Sequence, residues 1–262
     1  MAASLISGLI SNQYAANKIT ATDPDQQKLK QLKQQFSINT EVDNLKAVEN
    51  ADILVLAVKP QALKNVCNDI KNLVQKTHPL IISIAAGIRS TDIDRWLGNN
   101  NALVRCMPNT PALIQAGATG LFANAHTSAE QKTIAEQILG SAGVTLWVND
   151  ELQLDAVTAV SGSGPAYFFL FLEAMQAAGK QLGLDEKTAG MLAKQTALGA
   201  ARMALEGEDD PATLRAKVTS RGGTTAAAIA SFEKNNFSQI INQALTAARD
   251  RATELADELG KN

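Results

Sequence analysis

Reactive side chains are scarce in this sequence. Its 262 residues hold two histidines and two cysteines. Cys67 and Cys106 lie far apart, form no C-x-x-C pair and have no histidine near them, which argues against a disulfide framework or a zinc site and fits a reducing cytoplasm. His78 stands beside a proline and His126 in a polar stretch, so both read as surface histidines rather than catalysts or ligands. The formal charge is -2 and there is no basic run, which makes nucleic acid and anionic membranes poor partners. The apolar start from Met1 to Ile10 has no Lys or Arg before it, and Asn12-Gln13-Tyr14 follows at once. It reads as a buried helix rather than a secretory signal.

What is present alternates. Lys18-Ile-Thr-Ala-Thr reads as a strand, and Asp23-Pro24 starts a helix through Phe36. Ala51-Asp-Ile-Leu-Val-Leu-Ala-Val-Lys-Pro is a continuous apolar run of the kind that fills a parallel strand buried on both faces. A helix over 62–74, a strand from Leu80, a helix over 90–97 and a strand over 102–107 follow, then strand, helix 128–140 and strand from Val144. This is the grammar of an α/β fold with a Rossmann-like doubly wound parallel sheet. It places Lys59-Pro60, Ala85-Ala86-Gly87 and Met107-Pro-Asn-Thr-Pro111 along one rim, the expected cofactor edge.

The grammar changes at Asn149-Asp150. Residues 1–149 read as a dinucleotide-binding domain, and 150–262 as an all-helical domain with helices over 165–182, from Asp185 to Glu206, and over 237–259. The long helices are apolar on more than one face, so the second domain is expected to dimerise. Within it, Asp210-Pro211 opens a short helix that closes at Val218-Thr-Ser-Arg-Gly-Gly-Thr-Thr225, and Ala226 to Lys234 reads as the next helix. Taken alone, this stretch is a Gly-Gly corner with capping threonines. It also offers unpaired N–H groups and a positive dipole end, where a carboxylate would be held.

Four segments together, Ala57-Val-Lys-Pro60, Arg105-x-Met-Pro-Asn-Thr-Pro111, Ser161-Gly-Ser-Gly-Pro-Ala-Tyr167 and Val218-Thr-Ser-x-Gly-Gly-Thr-Thr225, resemble the pyrroline-5-carboxylate reductase family. Any one is weakly specific; their order and spacing along nearly the whole chain make the resemblance strong. It implies a nicotinamide-binding Rossmann domain followed by helices that interlock in a homodimer, sometimes assembled into larger rings, and the last step of proline synthesis as the reaction. It implies cofactor contacts at Asn44, at Ala57, Val58, Lys59 and Pro60, and at Ala85 and Ala86. Substrate contacts fall on Glu151, Ser220, Gly223, Thr224 and Thr225, with the Thr225 hydroxyl beside the ring nitrogen. NADPH is the expected cofactor and NADH the alternative. By themselves, Lys59 reads equally as a solvated strand end and Glu151 as a residue favouring a helix start.

Two departures from the family stand out. Arg221 occupies a position that is often proline, and a solvated side chain is expected there. Family members begin with a strand and a Gly-rich turn, whereas Met1-Ala2 falls inside that turn and no G-x-G-x-x-G lies upstream of Lys18. The central strand and the pyrophosphate-binding glycines are therefore expected to be absent, through a misplaced start or a truncated sequence, with poor dinucleotide affinity as the consequence. Two rival functions remain. A β-hydroxyacid dehydrogenase would need a lysine in the helix after Ser161-Gly-Ser-Gly, where Pro165-Ala-Tyr-Phe-Phe-Leu-Phe-Leu has no such residue. A non-catalytic oligomeric binding protein would bind no nucleotide.

Overall fold

The apolar runs that begin at Ala51, Leu80 and Ala102 hold strands, while the apolar start and the amphipathic stretches between the strands form helices, in the computed structural model, which describes residues 1–260. The chain divides into one unit of residues 1–163 with those from Ala247 onward, and a second of Gly164–Thr246.

The first unit opens with α1 (Ala2–Ser11), whose Leu5 and Ile6 are buried. Then come β1 (Thr20–Thr22), α2 (Gln26–Phe36), β2 (Asn39–Glu41), α3 (Asn44–Val48), β3 (Ile53–Leu56) and α4 (Pro60–Thr77). They are followed by β4 (Leu80–Ser83), α5 (Ser90–Trp96), β5 (Leu103–Met107), β6 (Gly117–Ala123), α6 (Ala129–Gly140), β7 (Gly143–Trp147) and α7 (Gln153–Val157). α2 starts two residues later than Asp23-Pro24 suggests. Asp25 is its N-cap and accepts from the N–H groups of Gln27 and Lys28, while Asp23 accepts from Asp25 N–H.

β3, β4 and β5 are parallel, β6 is antiparallel to β5, and β7 is parallel to β6. The reversal follows from the link: only the short 3₁₀ turn Thr110–Ile114 joins β5 to β6, too little chain for a parallel crossover. β1 and β2 pair with each other in a separate parallel sheet.

Strand alternation sends side chains to two cores. Ile81 and Leu103 join Leu63, Cys67, Ile70, Ile93 and Leu97 on one face, with Leu259 of the C-terminal helix against them. Leu80, Ile82, Val104 and Cys106 join Leu5, Leu121, Ala135 and Leu139 on the other.

The second unit is helical: α8 (Gly164–Gln181), α9 (Glu186–Glu206), α10 (Pro211–Lys217), α11 (Thr224–Lys234) and the first part of α12 (Phe237–Gly260). Asp185 caps α9 and Asp210 caps α10, the latter with Pro211 in its first turn. Hydrogen bonds from Thr188, through its hydroxyl and then its N–H, hold Asp185 below the usual carboxylate range, and those from the N–H and hydroxyl of Thr213 do the same for Asp210. α8 and α9 approach closely because Gly179 faces Ala189: a Cβ there would lie 3.1 Å from the Ala189 methyl. No helix among the described residues is long and apolar enough to cross a membrane.

Candidate active site

The carboxyl ends of β3, β4 and β5 share one edge, the usual ligand edge of an open parallel sheet. Ala57-Val58-Lys59-Pro60 leaves β3 there. Lys59 is exposed and is the N-cap of α4, Pro60 is its first residue, and no side chain caps the helix. An 18-residue helix thus presents free N–H groups and the positive end of its dipole, with an ammonium carried on the cap residue. Ala85-Ala86-Gly87 leaves β4; Ala85 is buried, Ala86 exposed, and Gly87 has φ +70°, a conformation that glycine adopts without strain. Asn44 opens α3, half-buried, and that helix packs on α4 and β1. An uncapped helix start, a cation and bare backbone beside small side chains make a donor set that fits a dinucleotide.

The Met107–Pro111 segment leaves β5 and is tied to the Ser161-Gly-Ser-Gly stretch. Asn109 is the tie: its Oδ1 accepts from Ala118 N–H at 2.9 Å and its Nδ2 donates to Ser161 O at 3.1 Å. Gly162 leaves room for the Met107 methyl, which a Cβ would strike. Thr158–Gly162 is a π-turn, widened enough for this approach. Ser161 Oγ lies 3.4 Å from Ala118 O and has no basic partner, so it is a packing residue rather than a nucleophile.

A buried polar network that the sequence pattern did not reveal lies behind the rim. Arg105, on the same face of β5 as Leu103, has a side chain only 4% exposed. Its Nη1 donates to Glu151 Oε1 at 2.9 Å, and its Nη2 lies 3.9 Å from Asp155 Oδ1. Glu151 also accepts from Ser90 N–H and Ser90 Oγ, both at 2.6 Å. Asp155 accepts from Thr253 Oγ1 at 3.0 Å, and Arg89 Nη2 stands 3.8 Å from Asp155 and 3.7 Å from Asp257. An arginine inside the apolar strand Leu103–Met107 was the available signal, because a guanidinium in such a place requires carboxylates. Cys67 and Cys106 take no part in this chemistry. Burial pushes the Cys67 thiol up to about 12 and the Cys106 thiol higher still, so both stay protonated and unreactive.

The other expected contacts belong to the second unit. Gly223 N–H donates to Ser220 O at 3.1 Å across a turn whose third residue, Gly222, has φ +72°. Gly223 is the N-cap of α11, and a Cβ on it would lie 2.5 Å from Ser220 Oγ. No side chain caps α11, so its first N–H groups are open, with exposed Thr224 and half-buried Thr225 in its first turn. That turn is a cradle for a small anion flanked by hydroxyls. Arg221 is exposed and has no partner among the described residues. Ser220, Gly223, Thr224 and Thr225 therefore stand together, whereas Glu151 is held in the first unit by Arg105 and Ser90.

Residues 151–255 match the family described as pyrroline-5-carboxylate reductase dimerisation, and residues 1–87 match NADP oxidoreductase coenzyme F420-dependent. The chain is 52% identical to pyrroline-5-carboxylate reductase of Pseudomonas aeruginosa over 261 residues, covering 100% of this chain and 95% of that one. It is 44% identical to the Haemophilus influenzae reductase over 97% of this chain and 94% of that one. Among solved structures, a pyrroline-5-carboxylate reductase from Coxiella burnetii superposes with a TM-score of 0.94 at 47% identity, covering 97% of this chain and 94% of that one. The Plasmodium falciparum pyrroline carboxylate reductase with NADP bound superposes with a TM-score of 0.84 at 29% identity, over 97% of this chain and 93% of that one. On full-length likeness to such relatives, this chain belongs to the pyrroline-5-carboxylate reductase family.

Proposed function

We propose that the chain reduces pyrroline-5-carboxylate to L-proline with NAD(P)H, the last step of proline biosynthesis. The observation that carries this reading is the uncapped start of α11 at Gly223-Thr224-Thr225, in a chain 52% identical to a named reductase. The substrate carries a compact carboxylate and a C=N bond. Free N–H groups and the dipole of α11 hold the carboxylate, with Ser220 and Thr224 beside them, and the Thr225 hydroxyl hydrogen-bonds the ring nitrogen. When bound, the reduced nicotinamide supplies a hydride to the imine carbon. The nitrogen takes its proton from water, because a cyclic imine protonates readily near neutral pH. Orientation and electrostatics by this chain's residues then carry most of the rate, with no strong general acid required.

On the first unit, Asn44, Ala57, Val58, Lys59, Pro60, Ala85 and Ala86 are the proposed cofactor contacts, with Lys59 and the start of α4 directed at phosphate. NADPH is the proposed preference. Thr20 and Thr22 are exposed on β1 and suit a 2′-phosphate, whereas the Asp23 carboxylate accepts from Asp25 N–H and lies 3.7 Å from Lys28. Residues 1–149 would carry the cofactor contacts and 150–262 the substrate cradle of α11 and a homodimer that assembles further into rings, with residues 150–163 and the end of α12 packed into the first unit. The two unpaired buried cysteines suit a reducing cytoplasm.

The test is NADPH oxidation with pyrroline-5-carboxylate. Wild type should turn over, and Thr225→Val should lower kcat/KM by about 10- to 100-fold, the worth of a hydrogen bond to a charged group. Turnover of a β-hydroxy acid with NAD and none of the cyclic imine would reject the reading.

A further inference from the structure

We propose that Glu151 and Arg105 are positioning residues for the cofactor edge. Their buried ion pair fixes Ser90, and with it the Ala85–Arg89 loop, so that Glu151 acts on the cofactor through this loop rather than on the substrate. The inference rests on the proposed reading of Ala85 and Ala86 as cofactor contacts.

The loop needs such a device. Among the described residues, Ala86 and Gly87 make no backbone hydrogen bond, and Ala85 N–H has only the Ser83 hydroxyl at 3.4 Å. At its start, the β4 ladder holds Ile84 through Leu56 O at 3.1 Å. At its end, α5 begins with Arg89 as an N-cap that makes no side-chain capping bond. Glu151, 61 residues away in sequence, does the capping. One carboxylate oxygen takes Ser90 N–H and the other Ser90 Oγ, each at 2.6 Å. Arg105 holds that carboxylate in place at 2.9 Å, and its own aim is fixed by a strand whose register pairs it with Ser83 at the end of β4. A carboxylate committed in this way has both oxygens turned inward, and its side chain is 13% exposed.

The rest of the loop is gripped by the last turns of α12, which belong to the same unit. A Cβ on Gly87 would meet Leu255 at 3.5 Å and Leu259 at 3.7 Å, so the backbone there lies close against the helix. Arg89 reaches Asp155 and Asp257, and Arg95 Nη2 donates to Gly260 O at 2.9 Å. Asp155 is held from both sides, by Thr253 and by the two arginines. The anchor at Ser90 is therefore the part of the grip that depends on Glu151.

The test separates cofactor from substrate. NADPH is titrated directly into wild type, Glu151→Gln and Ser90→Ala, and both Michaelis constants are then measured at a temperature where each variant is folded. Ser90→Ala removes one of the two bonds without leaving a buried charge unpaired, so it remains informative if Glu151→Gln folds poorly. The expected result is an NADPH dissociation constant about tenfold weaker for Glu151→Gln and about threefold weaker for Ser90→Ala. KM for NADPH should move in parallel, while KM for pyrroline-5-carboxylate stays within about twofold; a loss of stability alone would not produce that split. A weaker KM for pyrroline-5-carboxylate with unchanged NADPH affinity would make Glu151 a substrate contact and overturn the proposal, as would unchanged NADPH binding in both variants. If wild type binds NADPH but does not reduce the imine, the functional reading fails, while the titrations still decide the proposal.

Discussion

The two units solve the burial problem in opposite ways. The first sandwiches a sheet between helices and seals Ile81, Ile82, Leu103, Leu121 and Leu139 completely. The second buries little beyond the small side chains of Ala189 and Ala193, and leaves Phe168, Phe169, Leu170, Met191, Leu192, Leu198 and Ile240 more than half exposed. A cleft of about 410 Å³ between α8 and α9, edged by Phe169, Glu173, Lys180 and Lys194, lies on this open surface. A sheet with helices on both faces closes on itself, whereas a few helices with apolar residues on several sides leave a surface suited to association. The match of residues 151–255 to a dimerisation family agrees with that.

Three substitutions sharpen the contrast. Arg105→Ala should have the largest effect, because it leaves Glu151 buried without its cation and takes one of the two arginines from Asp155. Unfolding in denaturant should show a loss of about 3–5 kcal/mol, confined to stability and cofactor binding and not to subunit association. Phe169→Glu should do the reverse. A charge placed on the open face should weaken self-association by about 2–4 kcal/mol, seen in sedimentation as monomer at micromolar concentration, while the first unit keeps its fold. Unchanged sedimentation would mean that this face takes no part in association. Arg221→Ala should have the smallest effect, under about threefold in KM for the imine, since the side chain is solvated; a tenfold loss would make it a direct carboxylate ligand.

How much of this was legible in the sequence differs between the units for a physical reason. β3 and β4 stand out because each lies in an apolar run, Ala51–Pro60 and Leu80–Gly87, and the helix ends at Asp185, Asp210 and Gly207 carry their caps in the local sequence. β2 went unread because Asn39-Thr-Glu has neither length nor apolar character, and α3 because five residues show no period. At the candidate site, the Gly-Gly-Thr-Thr cradle was legible because a helix start is a local event. The Arg105–Glu151–Ser90 pairing was not, since its members lie 46 and 61 residues apart and only the fold brings them together. Glu151 was singled out by resemblance, but its engagement became visible only with Arg105 beside it.

Isotopic labelling follows the hydride itself. The chain is incubated with pyrroline-5-carboxylate and NADPH carrying deuterium at both C4 positions, and the product is analysed by mass spectrometry. The expected product is L-proline with one deuterium at C5, formed one for one with NADP and slowed strongly in Thr225→Val. Unlabelled proline, or consumption of NADPH without proline, would contradict the proposed reaction.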